Sequence, residues 1–135
     1  MGPVVGHGKF GTVRKASPRN NPEKTVAIKC IELAMVQEEL HLLRTEIDAL
    51  RAVDHPHIVK IHGTFMDEEV FYIVMDYCNG GDLFDHIMDN GKFESNEAAA
   101  AKMVRQIISG LKHLHEHNIC HRDIKPENII IDRET

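Results

Sequence analysis

The chain has 135 residues, 42% of them hydrophobic and 27% charged, with a formal net charge of -5 at pH 7. This length allows one cored domain, or a small domain with part of another, and the acidic balance excludes a broad basic surface for nucleic acid. There is no apolar run long enough for a membrane-spanning helix and no secretory leader pattern at the N-terminus. Three widely spaced cysteines favour reduced thiols. We therefore expect a cytoplasmic protein without nucleic-acid or membrane partners.

The first part of the chain is predicted to form β-strands. Val4–Val5 precedes a glycine cluster and Thr12–Ala16 follows it, a pattern typical of two strands joined by a glycine loop. After a turn rich in proline and asparagine, Thr25–Glu32 alternates as a strand. Because side chains alternate along a strand, Ala27 and Lys29 are predicted to share a face.

A helix and two further strands are predicted next. From about Val36 to Val53, four apolar residues recur at intervals of three and four, which indicates one face of an amphipathic helix. These residues are Leu40, Leu43, Ile47 and Leu50. Ile58–Met66 and Val70–Tyr77 are predicted strands with an acidic turn between them. The order is therefore strands, one helix, strands.

The pair Gly80–Gly81 marks a predicted boundary, because glycines between apolar segments give the chain a pliant connection. A short helix is predicted at about Asp82–Asp89, and a long one, capped by Ser95, runs to about His117. Five apolar residues of the long helix are predicted to form one buried stripe. They are Val104, Ile107, Ile108, Leu111 and Leu114.

The glycine cluster Gly6-x-Gly8-x-x-Gly11-x-Val13 can bring backbone N–H groups close to phosphate oxygens, since no side chain intervenes. A dinucleotide-binding fingerprint has similar glycine spacing, but it opens into a helix and has an acidic ribose contact about twenty residues later. Here too few residues follow Gly11 to form a helix before the next turn, and the next strand carries Lys29. The pattern favours a hairpin over phosphates rather than a dinucleotide site or a merely structural turn.

Lys29 lies beside the small residue Ala27, an arrangement able to hold phosphate oxygens and to leave room for a flat base. Glu46 lies near the apolar stripe of the following helix, so an ion pair with it could orient the lysine. Glu38 and Glu39 are alternative partners, which the periodicity favours less.

The segment His121–Asn128, with the sequence HRDIKPEN, is the most specific motif. Asp123 can accept a hydrogen bond from a hydroxyl group and orient it as a nucleophile, and the amide oxygen of Asn128 can bind magnesium. Lys125 can stabilise a transferring phosphoryl group. The alternative, a charged surface loop, is disfavoured because the glycine cluster and Lys29 precede the segment in order.

Taken in order, these motifs resemble those of the eukaryotic-type serine/threonine protein kinases. Their sequence is most similar to the calcium-dependent and calmodulin-dependent branch. The resemblance implies an α+β, protein-kinase-like fold, with an antiparallel β-sheet N-lobe carrying one helix and the start of a mainly helical C-lobe. Residues 1–78 would form the N-lobe and hinge, and residues 79–135 the beginning of the C-lobe through the catalytic loop. We expect the domain to be incomplete at both ends, because the family's Asp-Phe-Gly motif and activation segment are not among these residues.

The same resemblance implies a set of site residues. Catalytic roles fall to Asp123, Lys125, Asn128, Lys29 and Glu46, with Asn128 as the magnesium ligand. Met75 would be the gatekeeper, and the backbones of Asp76 and Cys78 would contact adenine. ATP binding is assigned to Val5, Gly6, His7, Gly8, Lys9, Phe10, Gly11, Val13, Ala27, Lys29, Met75, Asp76, Cys78, Leu83 and Ile130. Asp82 and Glu127 stand where many family members bind an arginine upstream of the phosphorylated residue.

The predicted function is therefore transfer of the γ-phosphate of ATP, with Mg²⁺, to Ser or Thr of protein substrates. These residues alone are expected to be inactive, so a truncated, non-catalytic nucleotide-binding or regulatory fragment is the alternative. Any calcium-sensing module would lie outside this chain. A third interpretation is a metal site formed by His113, His115 and His117 with Cys120 and His121, which the lack of a second spaced ligand pair disfavours.

Overall fold

A computed structural model of the chain describes residues 1–8, 11–90 and 96–133. The chain divides into two compact units. The first unit comprises Met1–Asp54 and Val59–Tyr77, and the second comprises His55–Ile58 and Cys78–Thr135. The division after Tyr77 lies one residue from the lobe boundary predicted from the sequence. The assignment of His55–Ile58 to the second unit was not predicted, because no local sequence pattern reports which distant segment a short loop packs against.

The first unit contains one five-stranded sheet in the order β1-β2-β3-β5-β4, in which all neighbouring strands are antiparallel. The strands are β1 (Val4–Gly8), β2 (Gly11–Ala16), β3 (Val26–Glu32), β4 (Ile61–Met66) and β5 (Val70–Asp76). The predicted antiparallel sheet is confirmed. β4 begins three residues later than predicted, because Ile58 belongs to the second unit.

The helical part of the first unit consists of a short α1 (Leu33–Val36) and a longer α2 (Leu40–Arg51), where one helix was predicted. Ile47 is buried on α2 as the periodicity predicts, while Leu40, Leu43 and Leu50 pack at the edge of the core. The core consists of buried side chains from α1, α2 and three strands. They are Ile31, Val36, Ile47, Ile61, Phe71 and Ile73.

The second unit contains α3 (Leu83–Asn90), α4 (Glu97–Glu116) and a 3₁₀ turn at Pro126–Asn128. α4 is capped by Asn96, whose side-chain oxygen accepts a hydrogen bond from the Ala99 N–H at 3.0 Å. The predicted cap, Ser95, lies outside the described residues. The two predicted helices are confirmed, with bounds shifted by one or two residues.

The predicted buried stripe of α4 is wrong at two positions. Leu114 is buried, whereas Val104 and Ile108 are 51% and 57% exposed. α4 packs closely around Gly110, where an added Cβ would lie 3.2 Å from the carbonyl oxygen of His57, whereas no close packing covers Val104 and Ile108 in the described residues. The period of a helix therefore identified the apolar face, but the position of the packing partner decided how much of that face is covered.

Two further findings concern the described residues as a whole. The three cysteines form no disulfide, as the sequence predicted. None of the helices in residues 1–8, 11–90 and 96–133 combines the length and the apolar character needed to cross a membrane.

Candidate active site

The glycine cluster forms the hairpin of β1 and β2, in which Gly6 pairs with Val13 and Gly8 with Gly11. The strand register shifts between Val4 and Gly6, so a bulge lies at Val5, which is 46% exposed. His7 pairs with Thr12 and is exposed. Lys9 and Phe10, which the resemblance assigns to ATP binding, lie outside the described residues.

The three glycines of the hairpin differ in whether the surrounding protein would tolerate a side chain. A Cβ at Gly11 would overlap the carbonyl oxygen of Cys30, so the close approach of β2 and β3 requires glycine there. A Cβ at Gly6 or Gly8 would meet only ordinary contacts, at 3.8 Å from Val13 Cβ and at 3.7 Å from Lys29 Cε respectively. Packing against the described residues therefore does not explain glycine at positions 6 and 8, which leaves room for a ligand beside their backbone.

Lys29 lies at the centre of the sheet on β3, where it pairs with Val13 on one side and Ile73 on the other. Its Cε is 3.7 Å from the Cβ position of Gly8, so the end of the lysine side chain lies beside the glycine hairpin. Two residues earlier, Ala27 is 6% exposed and pairs with Met75. The structure thus brings together the glycine hairpin and the strand lysine within the first unit.

Glu46 does not join this group. Its side chain is exposed on α2, next to the buried Ile47. Among the described residues, no ion pair connects Lys29 to Glu46, nor to the alternative partners Glu38 and Glu39. The predicted ion pair is therefore not formed in this structure, because packing through Ile47 directs Glu46 toward solvent.

The end of β5 is held by polar contacts that the sequence did not reveal. The Asp76 N–H donates to the Lys60 carbonyl at 3.0 Å, and the Lys60 N–H lies 3.4 Å from Asp76 Oδ2. Asp76 Oδ1 lies 2.6 Å from His62 Nε2. Asp76 was predicted as a backbone contact, and the partner of its carboxylate, His62, had no motif that could have identified it.

The loop that carries Asp123 forms a compact polar arrangement in the second unit. Asn128 Nδ2 donates to the Asp123 backbone carbonyl at 2.8 Å and to Asp123 Oδ2 at 2.9 Å. Lys125 Nζ lies 3.6 Å from the same Oδ2, and the Asp123 N–H donates to His121 Nδ1 at 3.2 Å. Arg122 has a φ of 67°, a left-handed backbone that turns the chain before the aspartate. The structure therefore brings Asp123, Lys125 and Asn128 together as the motif predicted.

Backbone pairing supports the C-terminal end of this loop. Ile131 accepts from the Gly80 N–H and donates to the Gly81 carbonyl, and the Leu83 N–H donates to the Ile129 carbonyl, each at 2.8 Å. Glycine is required at Gly81 by its φ of 74°. This pairing places Leu83, which is buried, and Ile130, which is 49% exposed, on neighbouring segments of the second unit.

The two acidic residues predicted to bind substrate, Asp82 and Glu127, differ in whether their side chains make a hydrogen bond within the protein. Asp82 Oδ1 accepts a hydrogen bond from the Asp85 N–H at 2.8 Å and so caps α3, whereas Glu127 is exposed on the 3₁₀ turn.

The alternative metal site of the histidines on α4 finds no support. In the parts of the chain that the structure covers, no group of three or more histidine, cysteine or acidic residues is arranged to hold an ion. His117 Nδ1 instead bonds the His113 carbonyl at 2.8 Å.

The sequence matches the family described as "Protein kinase domain" over residues 1–135. The chain belongs to the protein kinase family. Its similarity is to serine/threonine kinases. It is 38% identical over 133 residues to the serine/threonine-protein kinase DCLK3 of Mus musculus and 41% identical over 135 residues to calcium-dependent protein kinase 3 of Plasmodium yoelii yoelii. These matches cover 98% and 97% of this kinase chain, and 16% and 24% of those relatives.

A solved structure shows the same fold. The crystal structure of Rad53 residues 1–466 in complex with AMP-PNP superimposes with a TM-score of 0.91 at 38% identity, covering 98% of this chain and 35% of that one. The predicted protein-kinase-like fold is confirmed: the first unit is the N-lobe sheet with its helices, and the second is the start of the C-lobe. This kinase chain spans between about a sixth and a quarter of the two sequence relatives named above.

Proposed function

We propose that this chain provides the ATP-binding and catalytic-loop residues of a protein kinase that transfers the γ-phosphate of ATP to Ser or Thr hydroxyls of protein substrates. The observation that carries the proposal is the arrangement at Asp123. One carboxylate oxygen is held by the Asn128 amide and lies near the Lys125 ammonium. A carboxylate held in one orientation beside a cation suits positioning of a hydroxyl nucleophile for phosphoryl transfer.

Nucleotide binding is assigned to the first unit. The backbone N–H groups at Gly6 and Gly8 can approach phosphate oxygens, and the adjacent Lys29 ammonium can neutralise part of their charge. The structural relative crystallised with AMP-PNP supports binding of an adenine nucleotide. Ala27 and Met75, which pair across β3 and β5, are assigned to the purine end of the site.

In the reaction, the substrate hydroxyl oxygen forms a bond to the γ-phosphorus while the bond from that phosphorus to the bridging oxygen breaks, and ADP leaves. The hydroxyl proton passes to the Asp123 carboxylate. Lys125 stabilises the negative charge on the transferring group. Asn128 keeps the aspartate oriented through its Nδ2 contacts.

The residues present fit a magnesium ion. Since Asn128 donates to Asp123 through Nδ2, its Oδ1 is left as a hard oxygen ligand of the kind Mg²⁺ prefers. Mg²⁺ supplies charge neutralisation for the phosphates when bound. Asn128 would hold it from the protein side.

Partners and regulation follow from the same family. We propose protein substrates with an arginine upstream of the phosphorylated residue, bound by the exposed Glu127, with Asp82 contributing the oxygen that does not cap α3. Relatives named as calcium-dependent kinases support regulation by calcium through residues outside this chain. We also propose a cytoplasmic location, which subcellular fractionation tests.

Binding of a fluorescent ATP analogue to the purified chain tests nucleotide recognition. We expect Lys29→Met to weaken binding by about tenfold, because a charge-assisted contact to phosphate is lost. Lys24→Met is the matched control, since Lys24 is exposed before β3. Equal binding by parent and Lys29→Met would contradict the proposed site.

Phosphate transfer from labelled ATP to a serine peptide tests catalysis separately, with a parent protein that also contains an Asp-Phe-Gly motif and an activation segment, because these residues alone are expected to be inactive. Asp123→Asn should reduce transfer by about a hundredfold or more, because the amide cannot accept the proton. Stoichiometric nucleotide binding by the parent protein without transfer would instead favour the non-catalytic, nucleotide-binding alternative.

A further inference from the structure

Lys15 lies on β2 at the end of the glycine hairpin that is far from its glycine turn. It pairs directly with Ala27 on β3, and Ala27 pairs with Met75 on β5. Directly opposed residues of neighbouring strands point to the same face of a sheet. The side chains of Lys15, Ala27 and Met75 therefore form one row across three strands, on the face assigned to the nucleotide.

The ammonium group of Lys15 reaches across this face to an aromatic ring. Its Nζ lies 5.0 Å from the centroid of the Tyr77 ring, a distance at which the face of the ring attracts a cation. Tyr77 directly follows the last residue of β5, and β3 lies between β2 and β5. The contact thus spans two interstrand spacings, about 10 Å in all. Both side chains are partly buried, and both belong to the first unit.

The backbone of Lys15 is also bonded to the segment that leads into β1. The Lys15 N–H donates to the Pro3 carbonyl at 3.1 Å, and the Lys15 carbonyl accepts from the Gly2 N–H at 2.8 Å. These two bonds join the two strands of the hairpin at their base. A movement of Lys15 would therefore be transmitted to both strands of the hairpin.

The contact with Tyr77 restrains a property that the backbone ladder leaves variable. Hydrogen bonds between strands fix spacing and register, whereas the twist between neighbouring strands varies from roughly 10° to 35°. The twist of β2 relative to β5 sets the distance between the backbone of Gly6 and Gly8, at the phosphate end, and Met75, at the purine end. A nucleotide that binds at both ends requires a fixed distance between them, since two linked groups bind together only where the geometry allows it.

We propose that Lys15 and Tyr77 are positioning residues for the nucleotide: their cation–π contact fixes the twist of the glycine hairpin relative to the end of β5, so that one ATP molecule reaches the phosphate end and the purine end together. This inference rests on the proposed nucleotide-binding function. It adds two residues outside the glycine, lysine and catalytic-loop motifs. Both act through the sheet rather than by contact with the nucleotide.

The test is titration of the purified chain with a fluorescent ATP analogue, with adenosine and inorganic tripolyphosphate as separate competitors. Lys15→Met keeps an unbranched side chain without the cation, and Tyr77→Leu keeps an apolar side chain without the ring. We expect each to weaken the analogue by about threefold, the size of a partly exposed cation–π contact. The inhibition constants of adenosine and tripolyphosphate should be unchanged, because each competitor uses only one end of the site.

Further variants separate this contact from other roles of the two side chains. Lys15→Arg keeps a cation and Tyr77→Phe keeps an aromatic face, so both should retain the parent affinity within about twofold. The double variant Lys15→Met with Tyr77→Leu should be no weaker than either single variant, because both remove the same contact. Lys24→Met is the matched control, since it removes a charge from an exposed lysine before β3 and should bind like the parent.

Each outcome decides the question. Parent-like affinity for the ATP analogue in either single variant would overturn the inference and leave the proposed function intact. Losses that add in the double variant would also overturn it, since the two side chains would then act independently. Weaker inhibition by adenosine or by tripolyphosphate would overturn it as well, because that result indicates direct contact with the nucleotide or general destabilisation. A parent chain that binds no ATP analogue would overturn the proposed function and this inference together.

Discussion

The two units support their candidate site residues in different ways. In the first unit, Lys29 and Ala27 lie on the central strand of a sheet packed on a core that includes Ile31, Phe71 and Ile73. In the second unit, the Asp123 loop is exposed and is held by side-chain hydrogen bonds and a few backbone pairs. Of the eleven buried apolar side chains in the described residues, nine lie in the first unit and two, Leu83 and Leu114, in the second.

This difference indicates what each half of the site depends on. Residues on β3 keep their positions as long as the core remains packed, because interiors close-packed around a sheet resist local change. Residues on the Asp123 loop depend on individual polar contacts, each of which contributes little. Core substitutions should therefore affect the first unit strongly, and polar or backbone substitutions should affect the second unit locally.

The largest effect is expected from Phe71→Ala. Phe71 is 2% exposed in the core of the first unit, so its truncation should lower the free energy of unfolding by about 3 to 5 kcal/mol. Phe65→Ala is the same substitution on the neighbouring strand, where the ring is 66% exposed, and it should cost about 0.5 kcal/mol or less. Denaturant titration measures both. Similar losses from the two variants would mean that the first unit lacks the core described.

The next largest effect is expected from Gly80→Ala in the second unit. An added methyl group would overlap the Ile131 carbonyl and lie 2.7 Å from Ile131 Cγ2, so it should cost about 2 kcal/mol. Gly63→Ala is the control, because no atom lies within 4 Å of the added Cβ. Hydrogen exchange should show faster exchange at the amides of Leu83 and Ile131 only in the first variant. Unchanged exchange would show that this backbone pairing does not hold the loop.

A smaller effect is expected from Asn128→Ala. It removes the Nδ2 donor to the Asp123 carbonyl and carboxylate, and the loss should be about 1 kcal/mol, since the loop is exposed. Faster exchange should be confined to residues 121–128. Asn20→Ala, in the exposed turn before β3, is the control. A loss as large as that of Phe71→Ala would contradict the contrast between the two units.

The smallest effect concerns pH. Partial burial, and then the neighbouring His113 and His57, hold the pKa of His55 below its ordinary value of 6.5, with Glu116 acting in the opposite direction. Because the unfolded chain then binds the proton more readily, stability is full above pH 6.5 and falls as the pH decreases through that value. His55→Asn keeps an acceptor for the His57 N–H and should flatten this decline. Denaturation between pH 7.5 and about 5.5 measures it. A decline as steep in the variant as in the parent would exclude His55 as its source.

Much of this structure follows from local sequence patterns. The alternation at Lys29 and the glycine spacing before it predicted a strand beside a hairpin, and the structure places Gly8 next to Lys29. The motif around Asp123 predicted a loop that joins Asp123 to Asn128, and the hydrogen bonds between them follow from their spacing. In these cases the interacting residues are close in the chain or on adjacent strands.

The features that were not predicted depend on long-range packing. The exposure of Ile108 reflects which part of α4 meets the segment from His55 to Ile58. Glu46 makes no ion pair with Lys29 because α2 is oriented with Ile47 toward the core and Glu46 toward solvent. The contact of His62 with Asp76 requires a register shift between β4 and β5. A local pattern indicates which face of a helix or strand is apolar, but it does not indicate which distant segment covers that face or where a bulge inserts an extra residue.

The segment His55–Ile58 has a practical consequence for dissecting the kinase. The chain passes from the first unit to the second after Asp54, returns at Val59 and leaves again after Tyr77. A protease nick near Cys78 would therefore leave an N-terminal fragment that still carries the piece packed against Gly110 of α4. The two fragments should remain associated and co-elute after cleavage. If residues 1–77 were expressed alone, the segment His55–Ile58 would lose its packing partner and be exposed to solvent. A single cut between the two units therefore does not produce two complete units.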